Sequence, residues 1–548
     1  MAQKAAKAKQ TELVPSAAET ALTADQLYQF LVAEIASQRG ERELAAEAYA
    51  DLARQTRDPA IAQRAVEVAL VGRDSELATR ATNLWLELDP NSTSARQTLI
   101  ALLLTSGNLK DAGPQLKRLL ADDQPMAGRV FMQLGSLTAR HPDKAGVLKL
   151  VSGLAADYPN LPEAHLATAQ AARSAEQNSL GLAETDAALK QRPDWELAAL
   201  LHGALLSQSA PDEAVKYYRD FLKRNPNSRE VRTGLARQLA TQKDYAGARK
   251  EFESLVTAAP NTAEYFLALG VLSIELKDYA AAEKQLKRTL ELNYGQPDTV
   301  RTYLGQIKED QKRYPEAIAW YQQVTDGENY LATQVRVATL MAKQGDIAGG
   351  RKYLHSIRIS SPEQEGQIFM AEAQILRDAK QYEQAIDVLS AGIKVQPESA
   401  DLLYDRAMTA EKLSRFDVLE TDLRKIIAMK PDYAHAYNAL GYTLAERNMR
   451  LPEALQLIEK AYQLAPEDPA ILDSMGWVHF RLGNLEKGLD FLRKAIIARP
   501  DPEVAAHLAE VLVARGDRNE AKTVSDKALK ENPDNEALLA VVKKLELK

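Results

Sequence analysis

Apolar residues along this chain recur at three- and four-residue spacing, in blocks separated by short polar turns. That pattern predicts amphipathic α-helices throughout and no strands. Between Tyr433 and Pro466, Tyr437, Leu440, Gly441 and Leu444 share one helical face, and Ala454, Ile458 and Ala461 share the face of a second helix. The small residues Gly441 and Ala454 stand where two such helices must approach closely. The next stretch repeats the arrangement with Leu472, Met475, Gly476, Gly488, Leu492 and Ala495 and closes at Pro500. Earlier, Leu269, Gly270, Ala282 and Leu286 fill the same places, as do Leu304, Gly305, Ala317 and Tyr321.

Prolines mark the end of each helical pair. Pro90, Pro125, Pro159, Pro193, Pro226 and Pro260 are 35, 34, 34, 33 and 34 residues apart, and from Pro397 onward Pro431, Pro466, Pro500 and Pro533 follow at 34, 35, 34 and 33. The interval between the two sets fits further units ending near Tyr294, Gly327 and Pro362. This period, with its Gly, Ala and Pro positions, resembles the tetratricopeptide repeat (TPR); HEAT and WD40 units are longer, and ankyrin carries a different motif. The expected fold is therefore all-α: a TPR superhelical solenoid of about fourteen to fifteen helix-turn-helix repeats with a C-terminal capping helix.

The match is close in the C-terminal half and loose between about Asp111 and Gln191, where the Gly and Ala positions drift. The expected organisation is a flexible N-terminal tether over 1–22, partly degenerate TPR-like repeats over 23–193, regular repeats over 194–533 and a capping helix over 534–548. Leu538, Leu539, Val542 and Leu545 are assigned to the apolar face of that last helix. Thr23 with Gln26, and Ser361-Pro362-Glu363-Gln364, read as capping boxes. Pro211, Pro315 and Pro452 suit the first helical position.

Composition narrows the function. The 548 residues are 45% hydrophobic and 26% charged but only 6% aromatic, which favours many thin helix contacts over one thick core. A net charge of −7 argues against nucleic acid as the main partner, because phosphate neutralisation needs a basic face. With no Cys, disulfides, thiolate metal sites and a Cys nucleophile are excluded. The most apolar run, Leu99 to Leu104, is far below bilayer length.

Motifs for chemistry are missing. His141, His165, His202, His355, His435, His479 and His507 are scattered, with no H-E-x-x-H or paired-His spacing, and each reads as a surface or packing histidine. Neither a phosphate-binding G-x-x-x-x-G-K-[ST] loop nor a G-x-S-x-G elbow occurs. Gly349-Gly350 opens a second helix, where close helix packing accounts for it. Asp122-Asp123 reads as a solvated turn, and Lys543-Lys544 is too short to track nucleic acid. The expectation is a non-enzyme with no cofactor and no metal.

A stack of such repeats offers a long face lined by the first helix of each pair. On that face stand Tyr404 and Met408, Asn438 and Tyr442, and Asp473 and Trp477, in three successive units. Such an aromatic and Met stripe would suit an apolar peptide or helix. The same residues would equally serve as packing between adjacent repeats, and both readings stand at this point. A clamp of Lys and Asn for a C-terminal carboxylate, as in chaperone-binding TPR domains, is matched by Asn438 alone and is not expected.

The segments Asn438-Ala-Leu-Gly-Tyr-Thr-Leu-Ala-Glu-Arg, Pro469-Ala-Ile-Leu-Asp-Ser-Met-Gly-Trp-Val-His-Phe-Arg-Leu-Gly and Pro502-Glu-Val-Ala-Ala-His-Leu-Ala-Glu-Val-Leu resemble a family of bacterial envelope TPR lipoproteins. Near the N-terminus, Leu31-Val-Ala-Glu-Ile-Ala-Ser-Gln-Arg-Gly and Thr56-Arg-Asp-Pro-Ala-Ile-Ala-Gln-Arg-Ala are similar to the same family. The resemblance implies a periplasmic, outer-membrane-anchored adaptor that binds a carboxyl-terminal processing serine protease and presents peptidoglycan hydrolases to it. Family members carry a signal peptide ending in a lipid-modified Cys. Met1 to Gln10 has charge but no apolar h-region, so the anchor is expected upstream of a polar tether, as the only link to a membrane. A scaffold for an envelope secretion, pilus or polysaccharide export machine is the alternative.

Overall fold

The computed structural model describes residues 23–122 and 126–547, and among them are 31 helices and no strand. Thirty of the helices form fifteen consecutive helix-turn-helix pairs, from Ala24–Arg39 with Arg42–Thr56 to Pro502–Arg515 with Arg518–Glu531; the remaining one is Glu536–Lys544. The all-α TPR solenoid fold and its repeat number are as the 34-residue period implies. The chain divides into two compact units, residues 1–282 and 283–548. In each, apolar side chains of successive helices form the core, among them Tyr49, Phe131 and Phe221 in the first and Leu440, Leu492 and Leu512 in the second. The sequence boundary at 193/194 marks a change in repeat regularity, whereas the compact division falls at 282/283. The tether assigned to 1–22, Asp123 and Pro125 lie outside the described residues.

The prolines act as stops. Second helices end at Leu88, Gln191, Arg224, Ala258, Val395, Met429, Leu464, Ala498 and Glu531, each two residues before a proline of the rhythm. A residue that precedes proline is pushed out of the helical region, so the chain must turn there. Pro159 stands further out, because its helix Lys144–Ala155 closes four residues earlier. That helix belongs to the region where the repeat drifts, as does Leu109–Asp122, which carries Pro114 inside it.

In the interval without rhythm prolines, the second helices Tyr314–Tyr321 and Ile347–Leu354 have only 8 residues each. Local polar contacts replace the missing turns. The Asp298 carboxylate accepts from the Thr325 and Asp326 amides at 2.8 and 2.9 Å, and buried Gln334 donates to the Tyr321 and Val324 carbonyls at 3.1 and 2.9 Å. Nearby, the buried Glu372 carboxylate takes Arg351 at 2.7 Å and His355 at 2.8 Å. These side chains tie the ends of the shortened helices to neighbouring ones.

Helix starts agree with the sequence in most details. Thr23 and Gln26 form a full capping box. Ser361 accepts from the Gln364 amide, but the returning Gln364 side chain is met by Ser360 rather than by Ser361. Pro211 opens its helix, while Pro315 and Pro452 are the second residues of theirs. The last helix buries Leu538 fully and Val542 and Leu545 in part against the final pair. Leu539, assigned to the same face, is instead 43% exposed, since a one-residue step turns a side chain about 100° around the helix.

Close approach of the paired helices requires small residues. A Cβ on Gly476 would lie 2.5 Å from Leu492 Cγ and 3.0 Å from the Gly488 carbonyl oxygen; on Gly441 it would lie 2.6 Å from Ile458 and 3.0 Å from the Ala454 carbonyl. Gly350 would meet the Ala338 carbonyl at 2.6 Å.

Candidate protein-binding face of the C-terminal repeats

Three first helices, Ala400–Lys412, Ala434–Glu446 and Pro469–Arg481, present the stripe read from the sequence, and Pro502–Arg515 follows them. Tyr404 and Met408, Asn438 and Tyr442, and Asp473 and Trp477 are each four residues apart, so each pair lies on one side of its helix. Their exposures differ. Tyr404, Met408, Asn438 and Tyr442 are half-buried, whereas Asp473 is 8% and Trp477 only 3% exposed. Every residue from Ile471 to Val478, and His479 after it, is buried, which is unusual for a TPR first helix with a free face.

The cover comes from the neighbouring first helices. The Trp477 indole stacks on the His507 ring at 4.2 Å between centroids and 26° between planes. Its Nε1 donates to Glu446 Oε2 at 2.7 Å, and the Arg481 guanidinium lies 5.7 Å from the ring centroid. His507 Nδ1 donates to the Asp473 carboxylate at 3.0 Å, and its Nε2 stands 3.4 Å from the Tyr442 hydroxyl. Tyr442 and His507 belong to helices with a third one between them, so these side chains tie three repeats together. On the adjoining pair, Tyr404 packs against Tyr433 with centroids 5.9 Å apart.

Electrostatics reinforce the contact. Burial by itself would push His507 down, but the Asp473 hydrogen bond and the Asp473, Glu446 and Glu503 charges hold it above the ordinary histidine value. The imidazolium is thereby favoured, and its stacking on Trp477 gains a cation–π component. Burial pushes the Tyr404 hydroxyl up to about 12 and the Tyr442 hydroxyl higher still, the latter helped by Glu446 and Asp473. The Asn438 Oδ1 is sealed from water without a partner.

His507 was not singled out by motif reading, yet the repeat period locates it. Tyr404, Asn438, Asp473 and His507 are 34, 35 and 34 residues apart and form one column across the first helices. Met408, Tyr442, Trp477 and the buried Val511 form the next. The six residues of the stripe thus fall into a half-exposed part, around Tyr404, Met408 and Asn438, and a part spent on joining repeats, around Asp473 and Trp477. Among the described residues no group of His, Asp or Glu is placed to hold a metal ion, and no helix is long and apolar enough to cross a membrane.

The tetratricopeptide-repeat family pattern matches residues 205–272, and again 267–329, 370–418 and 404–469. The chain is 34% identical over 493 residues to the TPR repeat-containing protein PA4667 of Pseudomonas aeruginosa, covering 89% of this chain and 82% of that protein. It is 24% identical over 345 residues to cellulose synthase operon protein C of Pseudomonas fluorescens, covering 59% of this chain and only 26% of that much longer protein. Among solved structures, TTC0263, a thermophilic TPR protein of Thermus thermophilus, aligns over its whole length with 33% of this chain, at 23% identity and a TM-score of 0.31. TPR arrays are protein-interaction scaffolds, and this chain belongs to the tetratricopeptide-repeat family that includes PA4667.

Proposed function

We propose that the chain is a non-catalytic adaptor of the periplasm, held at the outer membrane, that binds a carboxyl-terminal processing serine protease and promotes its degradation of peptidoglycan hydrolases. One observation carries the reading. The segments that resemble the envelope TPR lipoproteins, around Asn438, Trp477 and His507, are successive first helices, and their side chains converge on one network. The C-terminal part of the family signature, though not its segments at 31–40 and 56–65, is thus gathered in one patch, as a shared partner surface would leave it. The half-exposed Tyr404, Met408 and Asn438 border that patch and offer aromatic, thioether and amide groups to a partner helix or peptide.

The test is reconstitution. Purified chain, a carboxyl-terminal processing protease and a peptidoglycan hydrolase are mixed, and hydrolase loss is followed with each component omitted in turn. Degradation accelerates only with all three present, and the chain cleaves nothing alone. An unchanged rate on adding the chain removes the adaptor reading. The likeness to cellulose synthase operon protein C favours a second reading, a scaffold for polysaccharide export, which predicts stable complexes with export components and no effect on proteolysis.

A further inference from the structure

A separate cleft opens on the second-helix side of the C-terminal repeats. Helices Leu451–Leu464 and Leu485–Ala498 form its walls and Pro469–Arg481 its floor. It measures about 760 Å³, within the range of sites that enclose a sizeable side chain and its neighbours. Its walls are aromatic: Tyr462 and Phe491 meet edge to face, 5.6 Å between centroids at 84°. In the floor are Met475 and His479, 4% and 5% exposed, with the His479 ring parallel to Phe491 at 5.9 Å and 11°.

His479 is the anomaly. Neither ring nitrogen has a hydrogen-bond partner among the described residues, and Nδ1 is sealed from water. Sealed in this way, Nδ1 is out of reach of a ligand, whereas Nε2 is not sealed and has no bond within the described residues, so it is the ring nitrogen open to a ligand in the cleft. Burial and the Lys487 charge hold the imidazole below its ordinary value, which leaves it neutral and able to accept a donor. Most of the acidic rim charges are already paired. Glu459, Glu486 and Asp490 face a single Lys487 there. Asp490 is paired with Lys494 at 2.6 Å and Glu486 with Arg515 at 3.4 Å, but Glu459 has no partner among the described residues.

We infer that this cleft binds an arginine side chain carried by an extended segment of a partner protein. Three features select the guanidinium. Its planar face stacks on one of the perpendicular Tyr462 and Phe491 rings while its edge meets the other, its fork of N–H groups meets Glu459, and a further N–H is available to Nε2 of the neutral His479. The local geometry already accepts a cation on one of these rings, for the Lys494 ammonium stands 5.3 Å from the Phe491 centroid. Lysine fits less well, because a point charge cannot stack and fork together. This site is on the side of the repeats away from the Tyr442–Trp477–His507 network and does not depend on the adaptor reading.

Met475 supplies the readout. The full chain has nine methionines, and one of their methyl groups lies in the cleft floor. With methyl-¹³C methionine in the whole chain, the Met475 signal is assigned by Met475→Leu and followed while N-acetyl-arginine amide is added; N-acetyl-citrulline amide, of the same shape but uncharged, is the control. The Met475 signal shifts saturably with the arginine compound, and citrulline binds about tenfold or more weakly. Glu459→Gln lowers the arginine affinity by about the same factor while leaving the other methionine signals in place. An equal response to citrulline, or a still Met475 signal at saturating arginine compound, overturns the proposal. So does a Glu459→Gln chain that is intact by its other methionine signals and binds as before. A failed reconstitution with protease and hydrolase leaves this result untouched, so the two readings fail separately.

Discussion

The contact between Gly476 and Gly488 allows one substitution type to be predicted with opposite signs at two sites. Replacing glycine by alanine inside a helix gains about 1 kcal/mol from backbone propensity wherever the added methyl meets open space. Gly153, in helix Lys144–Ala155, is such a place: nothing lies within 4 Å of its added Cβ. Gly476→Ala meets Leu492 Cγ at 2.5 Å and the Gly488 carbonyl oxygen at 3.0 Å. Ordinary carbon–carbon contact is about 3.5–4.0 Å, so the two helices must part by about 1 Å. Leu492 is fully buried and the other obstacle is backbone, so neither can swing aside. Overpacking of this kind costs about 1–3 kcal/mol, and at the upper end it exceeds the propensity gain, leaving a net loss of about 1–2 kcal/mol.

Repeat arrays do not unfold as one unit, so the measurement must be local. Hydrogen exchange followed by mass spectrometry, peptide by peptide, reads each pair of helices. Gly476→Ala raises exchange across 469–498 about 5- to 30-fold, the change in opening that a 1–2 kcal/mol loss produces. Gly153→Ala slows exchange across 144–155 by a few-fold and leaves 469–498 as it was. A Gly476→Ala chain as well protected as the parent would show that helix approach does not require glycine here and would refute the reasoning.

Trp477→Ala, which removes a buried indole, loses about 3–5 kcal/mol locally and deprotects 469–515, whereas Trp477→Phe keeps most of the packing and forfeits chiefly the Glu446 hydrogen bond, about 1–2 kcal/mol. A loss of partner binding is therefore interpretable with Trp477→Phe or with the half-exposed Tyr404 and Met408, and hydrogen exchange separates the two effects. The raised pKa of His507 stabilises the fold fully below the unfolded value near 6.5, and that contribution disappears as pH rises through the higher folded value; the protection factors across 502–515, corrected for the intrinsic rise of exchange with pH, fall over that window in the parent and not in His507→Phe. His479 is shifted the other way, so its contribution is present above about 6.5 and is lost as pH falls through its depressed folded value, a loss that His479→Phe removes. Arg406 holds Asp422, 1% exposed in its side chain, through two hydrogen bonds of 2.8 and 2.7 Å; Arg406→Met strands that carboxylate at a local cost of about 3–5 kcal/mol, and Arg406→Met with Asp422→Leu recovers most of the hydrogen-exchange protection across 400–429.

How much of this was legible in the sequence depended on whether the cause was local or lay a repeat away. A proline acts on the residue before it, and so the nine second helices that stop two residues short of one were readable directly. Gly441 and Gly476 were readable for a related reason: the repeat spacing places them between paired helices, where an added Cβ would come within 2.6 Å of the partner helix. Where no proline acts, at Tyr314–Tyr321 and Ile347–Leu354, the stops are made by Asp298, Gln334 and Glu372, which reach 10 to 28 residues along the chain. No local signal announces such side chains. Periodicity likewise assigned Tyr442, Asp473 and Trp477 to one face, but it is blind to what lies over that face. The cover is His507, one period after Asp473, held there by a carboxylate and an indole that each need a partner once buried. Reading the chain by columns of one period, rather than by motif along the chain, recovers Tyr404, Asn438, Asp473 and His507 together. In a repeat protein the position that faces a side chain is the same position in the next unit, so the column is the natural object for finding a site; a buried charge in a column calls for its complement one unit on.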